Sequence, residues 1–85
     1  MARLNISDLA RTAYQDEHQG WLIEVAVGYV VETDEWLAHA YVTAPGGSKE
    51  KVAIHEPTRP TSGDAVEYGF KTAIDYIDQM VDWRA

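Results

Sequence analysis

Between Trp21 and Val31 the large apolar residues Trp21, Ile23, Val25, Val27, Tyr29 and Val31 fall on every second position, with Glu24, Ala26 and Gly28 between them. Successive side chains of an extended chain point to opposite faces, so a period of two describes a strand with one face buried. Such a strand needs neighbours to cover its apolar side. Trp36 to Ala44 supplies one, its alternation separating Trp36, Ala38, Ala40 and Val42 from Leu37, His39, Tyr41 and Thr43. The polar Glu32-Thr33-Asp34-Glu35 between them has hairpin length. A tight hairpin centred on Thr33-Asp34 would set Val31 opposite Trp36 and Val27 opposite Ala40, with both apolar sets on one face.

Pro45-Gly46-Gly47-Ser48 then reverses the chain, since Pro fixes one turn dihedral and Gly supplies positive φ. A third strand follows over Lys51 to Glu56, with Val52 and Ile54 toward the core. Pro57-Thr58-Arg59-Pro60 reads as a connecting loop, because neither proline has an N–H to give. After it Thr61, Ser62 and Asp64 compete as helix N-cap, and Asp64 with Glu67 has the spacing of a capping-box variant. Val66, Phe70, Ala73, Ile74, Ile77, Met80 and Val81 form one apolar stripe of a helix about 30 Å long at ~1.5 Å per residue. At the other end, Ile6, Leu9, Ala10 and Ala13 stand at helical spacing, with Asn5 or Ser7 to cap and Asp8 in the first turn. This predicts a short helix to about Tyr14 or Gln15, ended by the polar stretch to Gly20. The expected fold is α+β: a short N-terminal helix, a three-stranded antiparallel meander and a C-terminal amphipathic helix packed on one face, all in one domain over 1–85.

The chain has 85 residues, enough for one core. An apolar fraction of 46% with three Trp sets it apart from disordered chains. With no cysteine, neither a disulfide framework nor a thiolate zinc site holds it together. Met1 to Gln19 lacks the apolar core of a signal peptide, and no apolar run approaches the ~20 residues that span a bilayer, so a cytoplasmic location is expected. The net charge is -7, and residues 21 to 44 carry Glu24, Glu32, Asp34 and Glu35 with no Lys or Arg. Affinity for phosphate backbones grows with Lys and Arg contacts, so direct nucleic acid binding is not expected.

Few side chains have spacing that suggests chemistry. If the second hairpin pairs Thr43 with Lys51, His39 falls opposite His55 on the outward sheet face beside Gly28. Two imidazoles fall short of the three ligands of a catalytic zinc site, and no metal or cofactor is expected. The pairs Glu32 with Glu35 and Asp75 with Asp78 sit where solvated carboxylates usually sit. Ser48 and Ser62 have no evident His-Asp partners, and Gly46-Gly47 lacks the Lys-Ser/Thr of a phosphate loop. The chain does not read as an enzyme. Trp21 and Trp36 fall on the core face, leaving Trp83 freer to meet a partner.

What remains is the outward sheet face around Gly28, Leu37, His39, Tyr41, Ala53 and His55. That face, or an unpaired strand edge, implies a small non-enzymatic protein–protein interaction module, homodimeric, hiding a face the chain is too small to cover. The alternative is an acidic inhibitor that mimics nucleic-acid charge, in the manner of phage anti-defence proteins. It would present Glu32, Asp34, Glu35, Asp75, Asp78 and Asp82 to a basic partner.

The expected α-β-β-β-α order resembles the double-stranded-RNA-binding-domain fold, shared in whole or part by small bacterial proteins and HicB-type antitoxins. Ser62-Gly63-Asp64-Ala65-Val66-Glu67, continuing through Ala73-Ile74, is similar to the Gly-Asp-Thr-x-x-Glu-Ala helix entry of HicB-like domains. The second resemblance implies neutralisation of a small toxin through protein contact. RNA binding does not follow from the first. The fold's Lys-rich clamp and its hairpin loop correspond to Gly63 to Glu67 and Glu32 to Glu35, where acids would repel phosphate.

Overall fold

A computed structural model describes residues 3–7, 12–54 and 58–84. Six strands precede one helix: β1 (Leu4–Asn5), β2 (Thr12–His18), β3 (Trp21–Val30), β4 (Glu35–Thr43), β5 (Lys49–Val52), β6 (Thr58–Arg59) and α1 (Ser62–Arg84). The strands form one antiparallel sheet in the order β1-β2-β3-β4-β5, with β6 pairing β4 farther along the same edge as β5. The α+β class holds, but its details differ from the expected three-stranded meander with a helix at each end.

The first difference is the N-terminal helix. Thr12–His18 is a strand, paired along its whole length with β3 from Thr12↔Val27 to His18↔Trp21. Its helical spacing of small apolar residues is overridden by a turn and by tertiary pairing. Gln19 and Gly20 sit at φ 51 and 81. Two consecutive left-handed residues make the type I′ turn whose twist matches the flanking strands, and Gly20 takes the second position without strain. β1 then adds to β2, where Ser7 Oγ accepts from the Ala13 N–H at 3.0 Å and the Ile6 N–H donates to the Ala13 carbonyl at 2.9 Å.

Two corrections are of extent: the third expected strand, Lys51 to Glu56, is β5 at Lys49–Val52, and Thr58–Arg59, expected in a connecting loop, pairs with β4 as β6. The others are of register. The β3–β4 hairpin sets Tyr29 opposite Trp36 and Val25 opposite Ala40, two residues from the expected pairing. A four-residue turn Val31–Asp34 replaces the tight one, with Asp34 at φ 55 and its carboxylate accepting from the Tyr29 hydroxyl. In the next hairpin Thr43 pairs with Lys49, not Lys51. There Pro45 and Gly46, at φ 72, hold the central positions of a type II turn closed by the Gly47 N–H on the Ala44 carbonyl at 2.8 Å. A slip of two leaves every side chain on its own face, so the core follows the expected pattern as far as Val27, whereas Tyr29 and Val31, expected on the same buried face, are exposed.

That core lies between the sheet and α1. Trp21, Ile23, Val25 and Val27 of β3, Ala38, Ala40 and Val42 of β4, and Val52 of β5 meet Ala65, Val66, Phe70, Ala73 and Ile77 of the helix. Trp36 and Ile54 pack at its margin. Thr61 is the N-cap: its Oγ1 accepts from the Asp64 N–H at 3.1 Å and its carbonyl from the Ala65 N–H at 3.0 Å. Glu67, expected in a capping box with Asp64, instead binds the Arg3 guanidinium, which lies 4.1 Å over the Phe70 ring. Farther along, Asp78 accepts from both His18 Nε2 and Gln19 Nε2 at 2.7 Å. These contacts tie the helix to the first hairpin. Among the described residues no helix is long and apolar enough to cross a membrane.

Candidate interaction surface

The helix covers one face of the sheet, and directly opposed residues in an antiparallel ladder share a face. Register therefore assigns every side chain on the other, outer face. Across the sheet, Glu17, Leu22, Thr43 and Lys49 form one row, and Leu4, Gln15, Glu24, Tyr41 and Lys51 the next, with Leu4 exposed. Ala13, Ala26 and His39 form a third, followed by Gly28, Leu37 and Thr58 and then by Val30 and Glu35. Among the described residues no helix or second sheet lies over these rows, though Ala13 on the β2 side is already buried, at 1% exposure.

Relief on this face runs along the strands. β3 contributes Ala26 and Gly28, and a β-carbon added to Gly28 would meet nothing within 4 Å. Beside them β4 contributes Leu37, His39 and Tyr41, all half-buried. The outcome is a shallow trough on β3 flanked by a ridge on β4. Charge is divided crosswise, with Glu17 on the β2 side and Lys49 and Lys51 on β5. Lys49 reaches back over the ridge, 5.5 Å from the Tyr41 ring centre, to meet Glu24 Oε2 at 3.1 Å. Glu24 is only 17% exposed in that bridge. Partial burial, helped by the Lys51 ammonium, holds the His39 imidazole below its ordinary pKa of 6.5 and favours the neutral ring.

The edge beyond β4 is broken. β5 pairs with residues 40 to 43 and β6 with 36 and 37, which leaves three more residues on the edge than the ladder needs. A cleft of about 440 Å³ opens there, lined by Ala38, His39, Lys51, Val52, Ala53 and Ile54. By strand alternation, either Ala38 or His39 turns its backbone N–H and C=O toward this gap.

Of the residues singled out in the sequence, Gly28, Leu37, His39 and Tyr41 do come together on the outer face. Ala53, exposed just past the end of β5, joins His39 in the cleft. His55 lies outside the described residues; the observed register, carried past Val52, brings residue 53 level with His39. The acidic set is dispersed. Glu32 and Asp34 occupy the exposed β3–β4 turn and Glu35 begins β4. Asp78 sits at the other end of the sheet against the His18–Gln19 turn, about 25 Å away at ~3.3 Å per strand residue. Asp75 is bridged to Lys71 at 3.1 Å, and Asp82 is exposed. The Trp83 side chain lies outside the described atoms. Among the described residues no three His, Asp or Glu side chains gather where they could hold a metal ion.

The Lys49–Glu24 bridge and the Asp78 contacts escape sequence reasoning, because each joins residues far apart in the chain. Only Gln19-Gly20, a left-handed turn dipeptide akin to Asn-Gly, signals the first hairpin. Compared with protein-family models, curated proteins and solved structures, this chain finds no match, so no relative supports either the RNA-binding-domain or the HicB resemblance.

Proposed function

We propose that this protein is a small self-associating interaction module whose working surface is the outer sheet face. The supporting observation is the uncovered trough and ridge of Ala26, Gly28, Leu37, His39 and Tyr41, opposite the face that α1 covers. A two-layer fold leaves such a surface wet, and water is most cheaply removed from it by another protein surface. Size sets the strength. Four strands ~4.8 Å apart and about eight residues of ~3.3 Å give roughly 500 Å² of projected face per copy. Stable dimers commonly hide about 800 Å² per partner, so the association is expected to be concentration-dependent.

The test is sedimentation velocity across a concentration series. The expected result is a monomer–dimer equilibrium shifted to monomer at least tenfold by Leu37→Asp, while the far-ultraviolet circular dichroism stays unchanged. A dimer indifferent to Leu37→Asp and to Tyr41→Asp, or a monomer at every concentration, would remove this reading.

A further inference from the structure

The relief and the charge of the outer face fit one symmetry. We infer that two copies meet outer face to outer face about a two-fold axis that runs parallel to the strands, between β3 and β4. This rests on the self-association proposed above and specifies its geometry.

Each residue of β3 lies level with its ladder partner on β4, so the axis would seat that partner's equivalent in the second copy directly over it. Leu37 of one copy then enters the trough at Gly28 of the other, and His39 lies over Ala26. Because the contact is isologous, each of these meetings occurs twice. The open space over Gly28 becomes a socket, filled by the leucine that stands beside the same glycine within each chain. Tyr41 comes over Glu24, a carboxylate able to accept from its hydroxyl. At the margins the Lys49 and Lys51 positions come over Glu17 and Gln15, so Lys49 would exchange its own Glu24 for Glu17 of the second copy and free Glu24 for the Tyr41 hydroxyl. A neutral His39 suits its place against Ala26, where a charged ring would be stripped of water.

The competing face-to-face arrangement, with the axis across the strands, stacks β4 on β4 and β5 on β5. Where that axis crosses at His39, ridge meets ridge, with His39 against its own copy and Leu37 against Tyr41; where it crosses between Lys49 and Lys51, lysine meets lysine. Both shape and charge disfavour it.

The hairpin tips separate the two arrangements. Glu32 and Thr33 cap the β3–β4 hairpin, which the inferred axis bisects, so the two tips lie at the same end of the dimer. The sequence holds no cysteine, so Glu32→Cys, at an exposed turn position, carries a single spin label. Pulsed electron–electron resonance on the dimer should give a label separation within about 25 Å, from sheets ~10 Å apart plus the label arms. A separation beyond about 35 Å, with the tips at opposite ends, would overturn the inferred axis and leave the proposed self-association standing. An absence of any dipolar coupling at concentrations where the unlabelled protein sediments as a dimer would likewise overturn the axis. A protein that sediments only as monomer removes both. Thr33→Cys gives an independent label at the same tip and should report the same short distance.

Discussion

Gly69 of α1 rests so close to Val25 at the centre of β3 that a β-carbon on the glycine would stand 2.6 Å from Val25 Cγ1. Val25 is fully buried, so the methyl group cannot swing into solvent. A helix interior ordinarily gains about 1 kcal/mol when Gly becomes Ala, but here overpacking, worth about 1–3 kcal/mol, outweighs the propensity. Gly69→Ala should therefore lower the urea midpoint without changing its slope. Val25→Ala in the same chain makes room for the new methyl, so the two changes together should cost less than their sum.

A second expectation concerns acid. The Asp78 carboxyl is held below its ordinary value chiefly by hydrogen bonds from His18 and Gln19, against an opposing effect of burial. A carboxylate with a depressed folded pKa stabilises the fold above its unfolded value, and that contribution is lost as pH falls through the folded one. Between about pH 5 and pH 2 the wild type should lose part of its urea midpoint that Asp78→Asn never had. Midpoints of the two proteins that fall in parallel over this range would count against the contact.

His39 acts with the opposite charge and a different window. Burial, then the Lys51 ammonium, depress its pKa, so the fold disfavours the charged ring. Above the unfolded value of 6.5 both states hold His39 neutral and nothing is lost. As pH falls below that value the unfolded chain takes up the proton first, and stability declines until the folded pKa is passed. His39→Gln should remove this part of the decline between pH 7 and pH 5. Lys51→Gln should reduce it, since the lysine is the lesser of the two causes. Urea titrations at pH 7, 6 and 5 check both.

How far these features could be read from the sequence depends on which interactions set them. The alternation of Trp21 to Val27 and the stripe from Val66 to Ile77 are local consequences of burial, and both faces of β3 and β4 follow from them. Parity also placed Gly28, Leu37, His39 and Tyr41 together, because a slip of two residues preserves the face. The same slip hides the register, so the expected pairing of His39 with His55 depended on turn lengths that polar residues specify poorly. β2 was lost for another reason. Gln15, Asp16, Glu17 and His18 have little strand preference, and the segment is extended because β3 and the Gln19-Gly20 turn make it so.

Gly28 separates folding from association. Nothing lies within 4 Å of where its β-carbon would be, and the residue is exposed in the middle of the β3–β4 ladder. Glycine loses more chain entropy than other residues on entering a strand, and β-branched side chains suit the pleated surface. Gly28→Val should therefore leave the monomer as stable as the wild type, or more stable by roughly 0.5–1 kcal/mol. The same side chain fills the trough that would receive Leu37 of a second copy, so dimerisation should weaken by an order of magnitude or more. Few substitutions raise stability and abolish self-association together, and a general loosening of the fold would lower both. Urea denaturation and sedimentation velocity on the one variant read the two effects separately. A Gly28→Val protein that dimerises as well as the wild type would show that the trough is not the contact.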